Sequence, residues 1–190
     1  MGTVTVEEIL AAIESLPTAE REHLLTALAS RYGDILAPRP AQLELGAGFV
    51  TSPPVDEPDY VLVFDGGSRG NPGPGYGSYA LIRGRDGAPE VVHLDFDEEM
   101  TNNEAEYAAL VAGLKDLIAR IKRAGLDPAG LTVEVRGDSA LVINQVAGQW
   151  KAKNARMKAL RDRARALLSH FAGYALHTQP REESVRLLGH

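Results

Sequence analysis

This 190-residue chain has no cysteine, one tryptophan and four phenylalanines. The missing cysteine excludes disulfides, thiolate zinc sites and thiol catalysis. No uninterrupted apolar stretch approaches the ~20 residues that span a bilayer, so no membrane role is expected. The N-terminus from Met1 to Glu8 lacks a basic region followed by an apolar core, so no secretory signal is visible and a cytoplasmic location is the expectation. What is present is 44% hydrophobic and 24% charged, the balance of a globular protein with one ordinary domain and an appendage.

The net charge of −6 argues against a nucleic-acid partner until its distribution is read. Residues 1–58 hold nine acids and three bases, which is the whole excess, and residues 59–190 hold seventeen of each. Within that balanced part, Lys151, Lys153, Arg156, Lys158, Arg161, Arg163 and Arg165 face Asp162 as the only acid between 151 and 165. One strongly basic segment with acids clustered elsewhere suits a protein that holds phosphates on one patch and cations on another. A merely solvated helix face is the plainer reading of the same residues.

Residues 1–33 read as a helical hairpin. Thr5 to Glu8 has the form of a capping box, Ile9, Leu10, Ile13 and Leu16 share a face, and Pro17 separates them from a second stripe of Leu24, Leu25, Leu28 and Tyr32. So small a unit cannot bury a core alone, which predicts self-association or docking on a protein partner. Residues 34–58 carry five of the eleven prolines and read as a linker. From 59 to 190 the pattern is that of an α/β domain. Strands are predicted at 59–65, 75–84, 90–97, 131–135 and 174–178, with helices from 102, over 140–146 and over 157–171. This order implies a mixed five-stranded sheet, antiparallel early and parallel later, flanked by helices.

Asp65 closes the apolar run Tyr60 to Phe64 and meets a turn too rich in glycine to continue as a strand. An acid there is costly to desolvate unless something compensates for it. Asp138 stands at the corresponding end of the fourth strand, and Glu106 lies in the first turn of the long helix. If the first and fourth strands are neighbours, all three acids converge. Each has a plainer use alone: Asp138 before Ser139 suits a helix cap, and Asp65 a turn. Together they would repel unless a cation sits among them. Oxygen ligands without cysteine or clustered histidine point to Mg²⁺ or Mn²⁺, and two such ions can drive phosphodiester hydrolysis.

Five motifs in order carry a resemblance: Asp65 to Gly73, Thr101 to Glu106, Gly137 to Ser139, Gln149 to Asn154, and Pro180 to Glu182. Over roughly 59–182, about two-thirds of the chain, it resembles the type 1 ribonuclease H family in its compact form. The resemblance implies a ribonuclease H-like fold and an endoribonuclease that cuts the RNA strand of RNA–DNA hybrids, leaving 5′-phosphate ends. It implies Asp65, Glu106 and Asp138 as metal ligands, and it alone selects Glu106 over Glu104. It further implies Gly66, Gly67, Ser68, Asn71, Asn102 and Asn103 at the hybrid's minor groove, where 2′-hydroxyls identify RNA. Trp150, Lys151, Lys153 and Asn154 would then hold the DNA strand's backbone, although Trp150 also suits core packing and the two asparagines a cap.

One departure stands out. The family pattern carries a fourth acid six residues after Glu182, where this chain has Leu188. The readings are a catalytic role for the His190 region, a substitute ligand in Glu182 or Glu183, a weakly held ion, or a module that binds hybrid without cutting it. The His190 region is the favoured one, since a neutral imidazole can accept a proton or ligate Mn²⁺. A further alternative is phosphodiester hydrolysis on other strands or junctions. His177, before Pro180, is read as a partly buried strand histidine.

Overall fold

The computed structural model describes residues 57–189 together with Pro17 and Glu20. The expected hairpin (1–33) and linker (34–58) therefore fall almost wholly outside the described residues, as does His190. The chain divides into two units, Met1–Gly46 and Ala47–His190, and the second contains everything that follows.

Five strands form one sheet in the order β3-β2-β1-β4-β5: β1 Tyr60–Ser68, β2 Gly73–Arg83, β3 Glu90–Met100, β4 Thr132–Gly137 and β5 Gly173–Thr178. The first three are antiparallel neighbours, while β4 runs parallel to both β1 and β5. The helices are α1 Asn102–Arg123, α2 Ala140–Ala147, α3 Ala155–Leu168 and α4 Arg181–Leu188. The mixed sheet read from the sequence is the one found.

β1 is the central strand, and its continuous apolar run buries both faces. Leu62 and Phe64 point into the larger core with Tyr107, Leu110, Leu114, Leu117 and Ile121 of α1, and with Val133, Val135 and Leu176. Val61 and Val63 point the other way, to Ala80 and Leu188 of α4. The sequence repeats apolar residues every three to four positions along α1, at Tyr107, Leu110, Val111, Leu114, Leu117, Ile118 and Ile121, and all of them are buried. Gly113 permits the close fit, because a Cβ there would lie 2.9 Å from Leu62 and 3.0 Å from Tyr79.

Several boundaries differ from the reading of the sequence, and two of these differences bear on the site. The α3 helix begins at Ala155 because Asn154 caps it, its Oδ1 accepting from Met157 N at 2.7 Å. It ends at Leu168, so Phe171 is buried from the following loop, and Ala164 is fully buried where Leu160 and Leu167 are only partly so. The second difference concerns β1, which continues through Gly66 and Gly67 to Ser68. The glycines weaken strand propensity, but β2 pairs with them directly, Gly66 with Gly77 and Gly67 with Tyr76.

Candidate active site

The parallel ladder between β1 and β4 ends at Phe64 and Gly137. Asp65 and Asp138 are the next residues on each strand, so they emerge side by side where that ladder stops. Asp65 remains inside the β1–β2 ladder opposite Ser78 and is 4% exposed. Its Oδ1 accepts from Gly66 N at 2.7 Å. Asp138 enters the loop to α2, and Arg181 of α4 brings Nη1 to 3.6 Å from its Oδ2.

Glu106 arrives from α1, and the reason it is Glu106 and not Glu104 is visible in the cap. Thr101 and Glu104 form a reciprocal capping box, in which Thr101 Oγ1 accepts from Glu104 N and Glu104 Oε2 accepts from Thr101 N at 2.8 Å. Glu104 is thereby consumed at the helix start. Glu106, the fifth helical residue and so past the first turn expected for it, faces the sheet end. Gly66 lets it come near: a Cβ on Gly66 would stand 2.5 Å from the Ala105 carbonyl and 2.6 Å from Glu106 N. The first turn of α1 therefore lies almost on the β1 backbone beside Asp65.

The outcome is a cluster in which Asp65, Glu106 and Asp138 each offer a carboxylate oxygen, all within 4.8 Å of one another. Three acids at this spacing, one of them buried, match a divalent cation held by oxygen ligands. Leu188, at the place of the family's fourth acid, is 1% exposed and packs on Val61, Val63 and Ala80. An apolar side chain fills that position. Glu182 and Glu183 are exposed in the first turn of α4 and do not join the cluster among the described residues. His177 is half-buried beside Glu134 at 3.9 Å, in keeping with a strand histidine.

Ser139 enters the sequence reading only as part of a motif, yet it joins two parts of the site. Its hydroxyl caps α2 by accepting from Val142 N, and it donates to Glu106 Oε2. No local sequence signal distinguishes this from an ordinary cap, because the partner lies 33 residues away.

The expected minor-groove residues gather on the adjoining rim. Asn102 Oδ1 accepts from Ser68 N and lies 2.9 Å from Ser68 Oγ, while Asn71 Oδ1 accepts from Asn102 N at 3.4 Å. Gly67 is buried, and a Cβ there would meet the Tyr76 hydroxyl at 2.6 Å. Gly66 and Gly67 thus serve packing, whatever else they touch. Asn103 is half-buried at the helix start.

The other expected contacts occupy the loop between α2 and α3. Trp150 is 38% exposed, which removes core packing as its role. Lys151 and Lys153 are exposed on either side of buried Ala152, and Asn154 is exposed while capping α3. The loop is anchored from beneath: Tyr107 Oη donates to Gln145 Oε1 at 3.0 Å, and Trp150 N donates to Asn144 O at 3.1 Å. Burial pushes the Tyr107 hydroxyl far above its ordinary range, so it is a neutral donor.

A mixed sheet in this strand order, with three acids meeting at the end of its central strands, defines the class: an α/β protein of ribonuclease H-like fold. A family model described as reverse transcriptase-like matches residues 63–185. Ribonuclease HI of Halobacterium salinarum is 38% identical over 123 residues, 65% of this chain and 57% of that protein. The bifunctional protein Rv2228c of Mycobacterium tuberculosis is 37% identical over 127 residues, covering 66% of this chain but 32% of its own. The chain thus spans about half or less of the length of these relatives. Among solved structures, RNase H1 of Halobacterium salinarum is 35% identical with a TM-score of 0.58, over 67% of this chain and 90% of that one. LC11-RNase H1 in complex with an RNA/DNA hybrid is 28% identical with a TM-score of 0.60, over 67% of this chain and 90% of that one. The chain belongs to the type 1 ribonuclease H family.

Proposed function

We propose that this protein is a metal-dependent endoribonuclease that hydrolyses the RNA strand of RNA–DNA hybrids and leaves 5′-phosphate ends. The observation that carries the proposal is the carboxylate cluster of Asp65, Glu106 and Asp138, with oxygens within 4.8 Å of one another. These residues would hold Mg²⁺ or Mn²⁺, two ions in the full site. When bound, such ions lower the pKa of a water and stabilise the oxygen that leaves phosphorus. A solved relative is itself bound to an RNA/DNA hybrid, which supports the same substrate here.

The chain's own residues supply binding and alignment. Asn102 and Asn103 offer amide N–H groups, and Ser68 a hydroxyl, to 2′-hydroxyls in the minor groove. Asn71 and the backbone of Gly66 and Gly67 line the same rim. Across the groove, Lys151 and Lys153 attract DNA phosphates, Asn154 offers a hydrogen bond, and exposed Trp150 covers a sugar or backbone segment. Ser139 holds the Glu106 carboxylate in place, and Arg181 offsets part of the negative charge at Asp138. His190, two residues after Leu188 in the sequence, stays in the proposal as a proton-accepting group, tested by deleting Gly189 and His190. The binding-only alternative is not favoured, because the three-acid set is intact and the family is enzymatic.

The test is cleavage of a labelled hybrid in Mg²⁺ and in Mn²⁺, beside duplex DNA, duplex RNA and single strands. RNA cut only within the hybrid is expected, and Asp65→Asn should slow it at least about 100-fold, the several kcal/mol attributed to metal stabilisation. Hybrid bound tightly but left intact in both metals would overturn the proposal.

A further inference from the structure

Arg156 is the second residue of α3, two positions beyond Asn154, and its half-exposed guanidinium meets two carboxylates. Its Nε lies 3.2 Å from Glu104 Oε1 and its Nη2 lies 3.0 Å from Glu98 Oε2 on β3. Glu104 is no ordinary surface partner. Its side chain is 11% exposed, and its other oxygen closes the capping box at the start of α1, two residues before Glu106. One guanidinium therefore ties together the start of α3, the start of α1 and the end of β3.

These three points matter because the site described above has two halves on different elements. The residues proposed to meet the RNA strand sit at the start of α1 and on the loop after β1. Those proposed to meet the DNA strand sit in the loop that ends at the α3 cap. Arg156 spans the seam between the halves, where a planar fork with two acceptors fixes orientation better than a single ammonium charge would.

We infer that Arg156 is a positioning residue that sets the spacing between the two strand-binding halves, through Glu104, and does not itself act as a phosphate contact. The inference rests on the proposed hybrid specificity. Its test separates the two roles by the sign of one result. Glu104→Gln keeps the capping box, which accepts Gln as well as Glu, but weakens the tie to Arg156 and removes one negative charge beside it. A phosphate-binding Arg156 would then be released, and hybrid binding would stay the same or tighten. A bracing Arg156 would lose its anchor, and binding would weaken.

The measurement is fluorescence anisotropy of a labelled hybrid with the full chain carrying Asp65→Asn, alongside KM and kcat of the cleaving enzyme. Arg156→Gln and Glu104→Gln should each weaken binding about fivefold, the scale of an ion pair of this exposure. The loss should appear in KM more than in kcat, and the double variant should be no worse than either single one. Arg156→Lys, which keeps the charge without the fork, should fall between wild type and Arg156→Gln and also guards against a folding failure in either. Unchanged or tighter binding by Glu104→Gln, or additive losses in the double variant, would overturn the inference while wild-type cleavage of hybrid still stood. Absence of cleavage by the wild type would instead defeat the functional reading.

Discussion

Asp65, Glu106 and Asp138 are placed by backbone, whereas Trp150, Lys151 and Lys153 are placed by anchors beneath a loop. The acids stand where a parallel ladder stops, on a strand paired on its other side, and beyond a helix start seated against glycine. To move one of them, a strand or a helix must move. The loop residues depend on a few hydrogen bonds, Gln145 Nε2 donating to Lys151 O, Asn144 O accepting from Gln149 N and Trp150 N, and Asn154 accepting from Met157 N, and their heads remain in solvent. Under the proposed function, chemistry that needs sub-ångström placement sits on the rigid part, and groups that only need charge near phosphate sit on the adaptable part.

Four changes break or sharpen this contrast. The largest effect is expected from Gly66→Ala. Its methyl would overlap the Ala105 carbonyl at 2.5 Å, so α1 must shift and take Glu106 with it. A loss of about 1–3 kcal/mol in stability, the range for overpacking, should accompany a far larger loss of cleavage. Thermal melting and hybrid cleavage on the same preparation check this, and a normal activity at any stability would separate Glu106 from the β1 backbone.

Next comes Ser139→Ala, which removes the α2 cap and the hydrogen bond to Glu106 together. A cap costs about 1 kcal/mol of stability. If Ser139 also orients Glu106, kcat should fall several-fold with KM unchanged; Ser139→Asp, a good cap that repels Glu106, should restore stability but not kcat.

Smaller and different in kind is the effect of Lys151→Gln with Lys153→Gln. Hybrid binding should weaken, and the slope of its logarithm against log salt should fall by about one for each phosphate no longer neutralised. Melting temperature should not move, because both side chains are exposed. An unchanged salt slope would take the lysines off the phosphate path.

The smallest effect is expected at Glu134 of β4. Burial alone would raise the carboxyl of Glu134, but the hydrogen bond and charge of Arg136, with His177 and Arg85, outweigh it and hold it below its ordinary value of 4.5. The folded form titrates below the unfolded one, so its contribution is complete above about pH 5 and disappears as pH falls through the folded value. Glu134→Gln should lower stability at neutral pH and flatten the acid side of the melting profile, while leaving hybrid binding alone.

Most of the scaffold was legible in the sequence, because its periods are strong. The α1 stripe from Tyr107 to Ile121 and the double-faced run of β1 each leave one arrangement that buries them. The convergence of Asp65 with Asp138 was legible once β1 and β4 were taken as neighbours. Three features were not. Glycines argue against a strand at 66–68, and only the hairpin pairing with β2 just beyond the turn overrides that preference. The capping-box spacing from Thr101 to Glu104 is visible in the sequence and forms as such, but that spacing does not show that Glu106 is the acid that reaches the sheet end. The cap of α2 was read as Asp138, whereas Ser139 fills it, and the second partner of Ser139, Glu106, is remote in sequence. Leu188 was legible as an absence, and its burial against Val61 and Val63 gives that absence a use in packing.

The central claim is that three carboxylates form one cation centre, and the most direct measurement is a Mn²⁺ titration followed by electron paramagnetic resonance on the full chain. Wild type should take up Mn²⁺ with loss of the free-ion signal, Asp65→Asn and Asp138→Asn should each lose most of that uptake, and Glu134→Gln should titrate as wild type does. Equal uptake by wild type and by both Asp variants would contradict the account.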